Sequence, residues 1–106
     1  MRDLLGEREI GDFCSERSRW ERRGHDLVGT ATAASFTAAI AWVNQIAGAS
    51  EELNHHPDID IRWCTLTFRL STHSSGGLTD LDLLLAACID AIVDSTDEDE
   101  RNEAAR

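Results

Sequence analysis

The chain contains no lysine and no tyrosine. Without lysine, a catalytic Schiff base and a Walker-type phosphate lysine are both excluded. Its three cysteines, Cys14, Cys64 and Cys88, are widely spaced and form no CxxC. That pattern supports neither a zinc ribbon nor a dithiol redox site, and it reads as buried free thiols in a reducing compartment. No stretch approaches the ~20 apolar residues that a membrane span needs. The opening Met1-Arg2-Asp3-Leu4-Leu5-Gly6-Glu7 has acids where a secretory signal would have its apolar run. The expectation is a cytoplasmic protein without a membrane association. Positive charge is also scarce, with 10 arginines against 20 acids and a net charge of −10. Such a balance argues against a nucleic-acid footprint, which is normally basic.

What is present points to one small domain. At 106 residues the chain can bury a modest core, and domains of this size gain from oligomerisation. The pattern predicts a helix over 3–17, with Leu5, Ile10, Phe13 and Cys14 on one side. It predicts strands over 20–23 and 26–33, separated by a Gly24-His25 turn. Ser35 is a suitable N-cap for a helix carrying Phe36, Ala39, Ile40, Val43, Ile46 and Ala47 at the 3.6-residue period and ending near Leu53. Thr79 opens a last helix with Asp82 in capping-box position. Residues 83–93 are apolar nearly all round, which suggests burial on more than one side and a second subunit as the further cover. Residues 95–106 are polar and charged, and are expected to form an unstructured acidic tail.

The chemistry concentrates around a hairpin. Ile59, Ile61 and Trp63 alternate with Asp58, Asp60 and Arg62; Leu66, Phe68 and Leu70 then alternate with Thr65, Thr67 and Arg69. Period-two alternation marks strands with one buried face. The switch from odd to even apolar positions places the turn around Cys64 and Thr65. Trp63 falls with Ile59 and Ile61 on the buried side, and is also a candidate platform for a flat substrate. Each arm spans about 20 Å at about 3.3 Å per residue. The return arm therefore brings His73 back to the level of His55 and His56. Imidazoles exchange protons near neutral pH, so three of them in one pocket suggest acid–base chemistry or a metal. Glu51, four residues before His55, could orient an imidazole from the same helix face. A zinc site built from the three histidines and Glu51 is an alternative, although no HExxH-type ligand spacing is present. His25 stands alone in its turn and reads as structural.

Glu51-x3-His55-His56-Pro57, Trp63, His73 and Asp82, together with Leu70-Ser71-Thr72-His73 and Gly76-Gly77-Leu78-Thr79, resemble the signature of the pterin-4a-carbinolamine dehydratase family. The similarity covers about residues 20–93. The resemblance implies an α+β fold, a four-stranded antiparallel sheet with about three helices packed on one face, in a single domain over 1–94. It implies dimers or tetramers, a pterin substrate and no metal or organic cofactor. The implied reaction is dehydration of 4a-hydroxytetrahydropterin to quinonoid dihydropterin. His55 and His73 match the acid–base positions and His56 the substrate-positioning histidine. Backbone groups around Ser71 and Thr72 are implied to bind the pterin edge, with Glu51 and Trp63 as further substrate contacts and Asp82 in support. A non-enzymatic binding or assembly module on the same scaffold is the other alternative, and retention of all three histidines weighs against it.

Overall fold

The computed structural model describes residues 2–104, with side chains described through Ser95. In chain order the elements are α1 (Glu7–Glu16), β1 (Trp20–Arg23), β2 (Asp26–Thr32), α2 (Phe36–Leu53), β3 (Asp58–Arg62), β4 (Thr65–Leu70), a short 3₁₀ turn (His73–Ser75) and α3 (Asp80–Ala104). The strands form one antiparallel sheet in the order β1-β2-β4-β3. The helices cover one face, so the fold is the α+β arrangement expected. No helix among the described residues is long and apolar enough to cross a membrane.

The alternation in β4 is the backbone of the core. Leu66, Phe68 and Leu70 are fully buried, and they join Leu27 and Ala31 of β2 and Trp20 of β1 against Ile10, Trp42, Ile46, Leu85, Ile89 and Val93 from the helices. On α2 the buried line is Ala39, Trp42, Ile46 and Ser50. Phe36 and Ala47, expected on the core side, are exposed. Both candidate lines fit a helical period; Trp42 has the larger apolar body and takes the sheet side. Ser35 caps α2 as anticipated, its hydroxyl accepting the Ala38 N–H at 3.1 Å.

Other expectations are corrected. α1 begins at Glu7 rather than residue 3, because Arg2 to Leu5 run along the loop after β4: Leu5 N–H donates to Leu78 O at 2.9 Å and Ser75 Oγ to Arg2 O at 2.7 Å. α3 is less apolar at its surface than expected. Its inner line packs on the sheet and on α2, and among its described large apolar side chains Leu84 alone is exposed. α3 also continues to Ala104, so the acidic stretch from residue 95 extends the helix instead of leaving it as an unstructured tail. Propagating a nucleated helix costs far less than starting one, and the Glu, Arg and Ala of this stretch are good helix formers.

β3 is an edge strand, and most of it is uncovered. Ile59 is half-buried and Ile61 is 39% exposed. The Arg62↔Thr65 pair closes the hairpin with Trp63 and Cys64 as the turn, one residue earlier than the alternation suggested. Cys64 is buried, but Trp63 sits in the left-handed region at φ 53° and is 78% exposed. The core-side position expected for Trp63 is therefore incorrect. The turn lifts it out of the strand before the pleat can carry it to the inner face.

Candidate active site

The end of α2 builds the first half of the site. Asn54 adopts the left-handed conformation, φ 49°, and ends the helix; asparagine tolerates this state better than most residues. His55 N–H still reaches back to Ser50 O at 3.0 Å. Pro57 then holds His56 extended and leads into β3. The break rotates His55 off the helix face it would otherwise share with Glu51. As a result Glu51 does not meet His55. Its carboxylate pairs with His56, whose side chain is 56% exposed.

His55 turns inward, with 11% of its side chain exposed, and its Nε2 lies 2.6 Å from Oδ1 of Asp82. Asp82 is fully buried. Its Oδ2 accepts the Thr79 N–H at 2.9 Å, which is half of the expected capping box, and the Thr72 hydroxyl at 2.8 Å. The other half of the box is replaced, since the Thr79 hydroxyl pairs with that of Thr72 at 2.7 Å. Buried carboxylates are costly unless hydrogen-bonded, and this one has three partners. The sequence marked Asp82 as a cap. The contribution of Thr79 as a side-chain partner was not visible there, because only the fold brings residues 72, 79 and 55 around one carboxylate.

Thr72 is held by its own loop. Its N–H donates to Gly77 O at 2.9 Å, and its carbonyl accepts from Ser75 and Gly76, each at 3.0 Å. Both backbone groups are thus engaged within its own loop, and its hydroxyl is the group that reaches Asp82. Ser71 donates its hydroxyl to His25 O at 3.0 Å, which ties the loop to the β1–β2 turn. His73 follows Thr72 directly, in the 3₁₀ turn, with its side chain exposed. Continuing the β3–β4 register sets His55 level with Thr72 and His56 level with Ser71, so the three histidines share one end of the hairpin. No hydrogen bond among the described residues joins the His73 ring to the other two. Trp63 lies at the opposite end of β3, about 20 Å from His56 at about 3.3 Å per residue, and cannot reach this chain's own site.

An apolar cleft of about 400 Å³ adjoins His56. It runs between α2 and β3 and is lined by Val43, Ile46, Ala47, Ser50, Pro57 and Ile59, with Glu51 and His56 at its rim. None of these lining residues outside Glu51 and His56 was a candidate from sequence; a cleft between a helix and an edge strand has no one-dimensional signal. Among the described residues, no three His, Cys, Asp or Glu side chains are grouped to hold a metal ion. His55 and His56 instead pair with separate carboxylates, Asp82 and Glu51.

Comparison with known proteins agrees with this fold. The family model described as pterin 4 alpha carbinolamine dehydratase matches residues 3–92. A protein of Nocardia farcinica named "Putative pterin-4-alpha-carbinolamine dehydratase" is 49% identical over 90 residues, covering 85% of this chain and 95% of the relative. One of Roseiflexus castenholzii with the same name is 45% identical over 93 residues, covering 88% of this chain and all of the relative. The crystal structure of a "transcriptional coactivator/pterin dehydratase" from Brucella melitensis superposes with a TM-score of 0.82 at 26% identity, over 86% of this chain and 99% of that one. A pterin dehydratase-like protein identified as a RuBisCO assembly factor in the α-carboxysome shares the fold, with a TM-score of 0.58 at 22% identity over 71% of this chain and 87% of that one. The chain belongs to the pterin-4a-carbinolamine dehydratase family.

Proposed function

We propose that this protein dehydrates 4a-hydroxytetrahydropterin to quinonoid dihydropterin, in the cytoplasm, as part of tetrahydropterin recycling. The reaction requires a proton delivered to the departing 4a-hydroxyl and a proton removed from N5, with a C4a–N5 double bond formed and water released. His55 and His73 serve as the acid–base pair, and each such transfer typically contributes about 10²–10⁴-fold. His56, braced by Glu51, positions the pterin at the mouth of the apolar cleft, and Ser71 borders its polar edge. Proton transfer by imidazole accounts for both steps, so no metal or organic cofactor is invoked.

The observation that carries this reading is the His55–Asp82 pair. A mostly enclosed imidazole is held at 2.6 Å on a fully buried carboxylate, at the end of the hairpin where the other two histidines lie. The carboxysome neighbour is named as an assembly factor; the enclosed His55–Asp82 pair beside two further histidines favours the catalytic reading for this chain. A spectrophotometric assay of quinonoid dihydropterin formation from the 4a-hydroxy substrate tests the proposal. Acceleration above the uncatalysed rate supports it, and none at micromolar protein contradicts it.

Assembly as a homodimer or homotetramer fits the same reading. β3 leaves one edge of the sheet unpaired, with Ile61 and Trp63 exposed beside it, and such edges are ready templates for another strand. Two copies paired antiparallel about Ile61 would set Asp60 of each against Arg62 of the other.

A further inference from the structure

The loop–helix junction around Asp82 contains two buried hydroxyls for which the proposed reaction has no direct use. Thr72 is 6% exposed and Thr79 is fully buried. With the Asp82 carboxylate ionised, their hydrogen bonds admit one arrangement of protons. A threonine hydroxyl has one proton to give. That of Thr72 goes to Oδ2 of Asp82. The 2.7 Å contact between the two hydroxyls must then use the proton of Thr79, accepted by Thr72 Oγ1. The Thr79 N–H ends on the same Oδ2. Two donors therefore converge on Oδ2, which leaves Oδ1 to face His55.

An ionised carboxylate has only lone pairs to offer, so the ring nitrogen at 2.6 Å must be the protonated one. That nitrogen is Nε2. The other, Nδ1, has no hydrogen-bond partner among the described residues. We infer that Thr72 and Thr79 are positioning residues which orient the Asp82 carboxylate and thereby fix His55 as the Nε2–H tautomer, leaving Nδ1 as the atom that exchanges a proton with substrate. This rests on the dehydratase reading for its consequence, but the tautomer itself does not. The hydroxyl of residue 72 matters because, among the described residues, it supplies one of two donors to Oδ2. The hydrogen bond made by one imidazole nitrogen commonly decides whether the other is available.

The test is a pair of substitutions at position 72, read in two independent ways. Thr72→Val keeps the shape and removes the hydroxyl; Thr72→Ser keeps the hydroxyl. Long-range ¹H–¹⁵N spectra of the imidazole rings, recorded above the titration range of the histidines, report the His55 tautomer without reference to activity. The wild type and Thr72→Ser should show the proton on Nε2, and Thr72→Val a mixture of tautomers. Turnover should fall about tenfold or more in Thr72→Val, in line with loss of a hydrogen bond to a charged group, with KM little changed and the pH profile displaced, and Thr72→Ser should restore it. A wild-type spectrum with the proton on Nδ1 would overturn the inference, whether or not the valine variant folds. So would a Thr72→Val protein with an unaltered Nε2–H spectrum. Absence of dehydratase activity in the wild type with the tautomer as described would refute the function and leave the positioning intact.

Discussion

Trp20 lies directly on Gly29. The two are register partners across β1 and β2, and a Cβ added to Gly29 would fall 2.7 Å from Trp20 Cε3. The indole is 3% exposed and its Nε1 donates at 3.0 Å to Oδ1 of the buried Asp90, an oxygen that also receives Arg19, while Arg17 donates to Oδ2. A ring anchored on one side by a carboxylate cannot retreat from a methyl on the other. Gly29→Ala should therefore destabilise the fold by about 1–3 kcal/mol, the usual cost of overpacking. Urea denaturation measures it, and a midpoint equal to that of the wild type would show that the ring is free to move.

The segment ahead of α1 should loosen in acid. Arg2 hydrogen-bonds Asp80 at 2.5 Å and holds its carboxyl below the usual carboxylate range. A carboxyl with a lowered folded pKa contributes fully above its unfolded value, near ~4, and its contribution disappears as pH falls through the folded value. Protection of the Leu5 amide, which donates to Leu78 O, should thus decline below about pH 4. In Asp80→Asn the decline should be absent and protection lower throughout. Hydrogen exchange followed by NMR, corrected for the intrinsic rate, decides between these profiles; the pair is exposed, so the effect is local.

Turnover should withstand exhaustive chelation. His55 and His56 are committed to different carboxylates, Asp82 and Glu51, and proton transfer by imidazole needs no Lewis acid. Elemental analysis alongside the assay checks this. Stoichiometric zinc whose removal abolishes activity and whose return restores it would replace the acid–base reading with a metal-based one.

Assembly should depend on the free edge of β3. Light scattering of the wild type at micromolar concentration is expected to give at least twice the protomer mass of 11.7 kDa. Antiparallel pairing about Ile61 makes Asp60 and Arg62 cross-strand neighbours in both directions. Arg62→Asp should then weaken association, and Asp60→Arg combined with Arg62→Asp should recover it. A wild-type mass of one protomer, or a double variant no better than the single, would contradict this interface.

The sheet and the helices were largely legible in the sequence because their signals are local. Alternation at Leu66, Phe68 and Leu70, the helical period of α2 and the Ser35 cap each act over a few residues. The site was legible in its members but less so in its pairings. Glu51 and His55 stand four apart, yet the left-handed turn at Asn54 breaks the helix between them and hands Glu51 to His56. Trp63 fits the alternation, yet a two-residue turn takes it out of the strand and exposes it. The Thr72–Thr79–Asp82–His55 cluster joins two sides of the fold and has no sequence pattern beyond the capping box. The alternation in β3 predicts one buried face, but its edge position, which leaves most of it uncovered, depends on which strands pair.

The most direct measurement of the central claim is the steady-state rate of quinonoid dihydropterin formation by wild type, His55→Ala, His73→Ala and His56→Ala, with folding of each verified by circular dichroism. Loss of a general acid or base should lower turnover by about 10²-fold or more in the His55 and His73 variants, while the His56 variant should lose chiefly substrate affinity. Turnover close to wild type in both His55→Ala and His73→Ala would contradict the account.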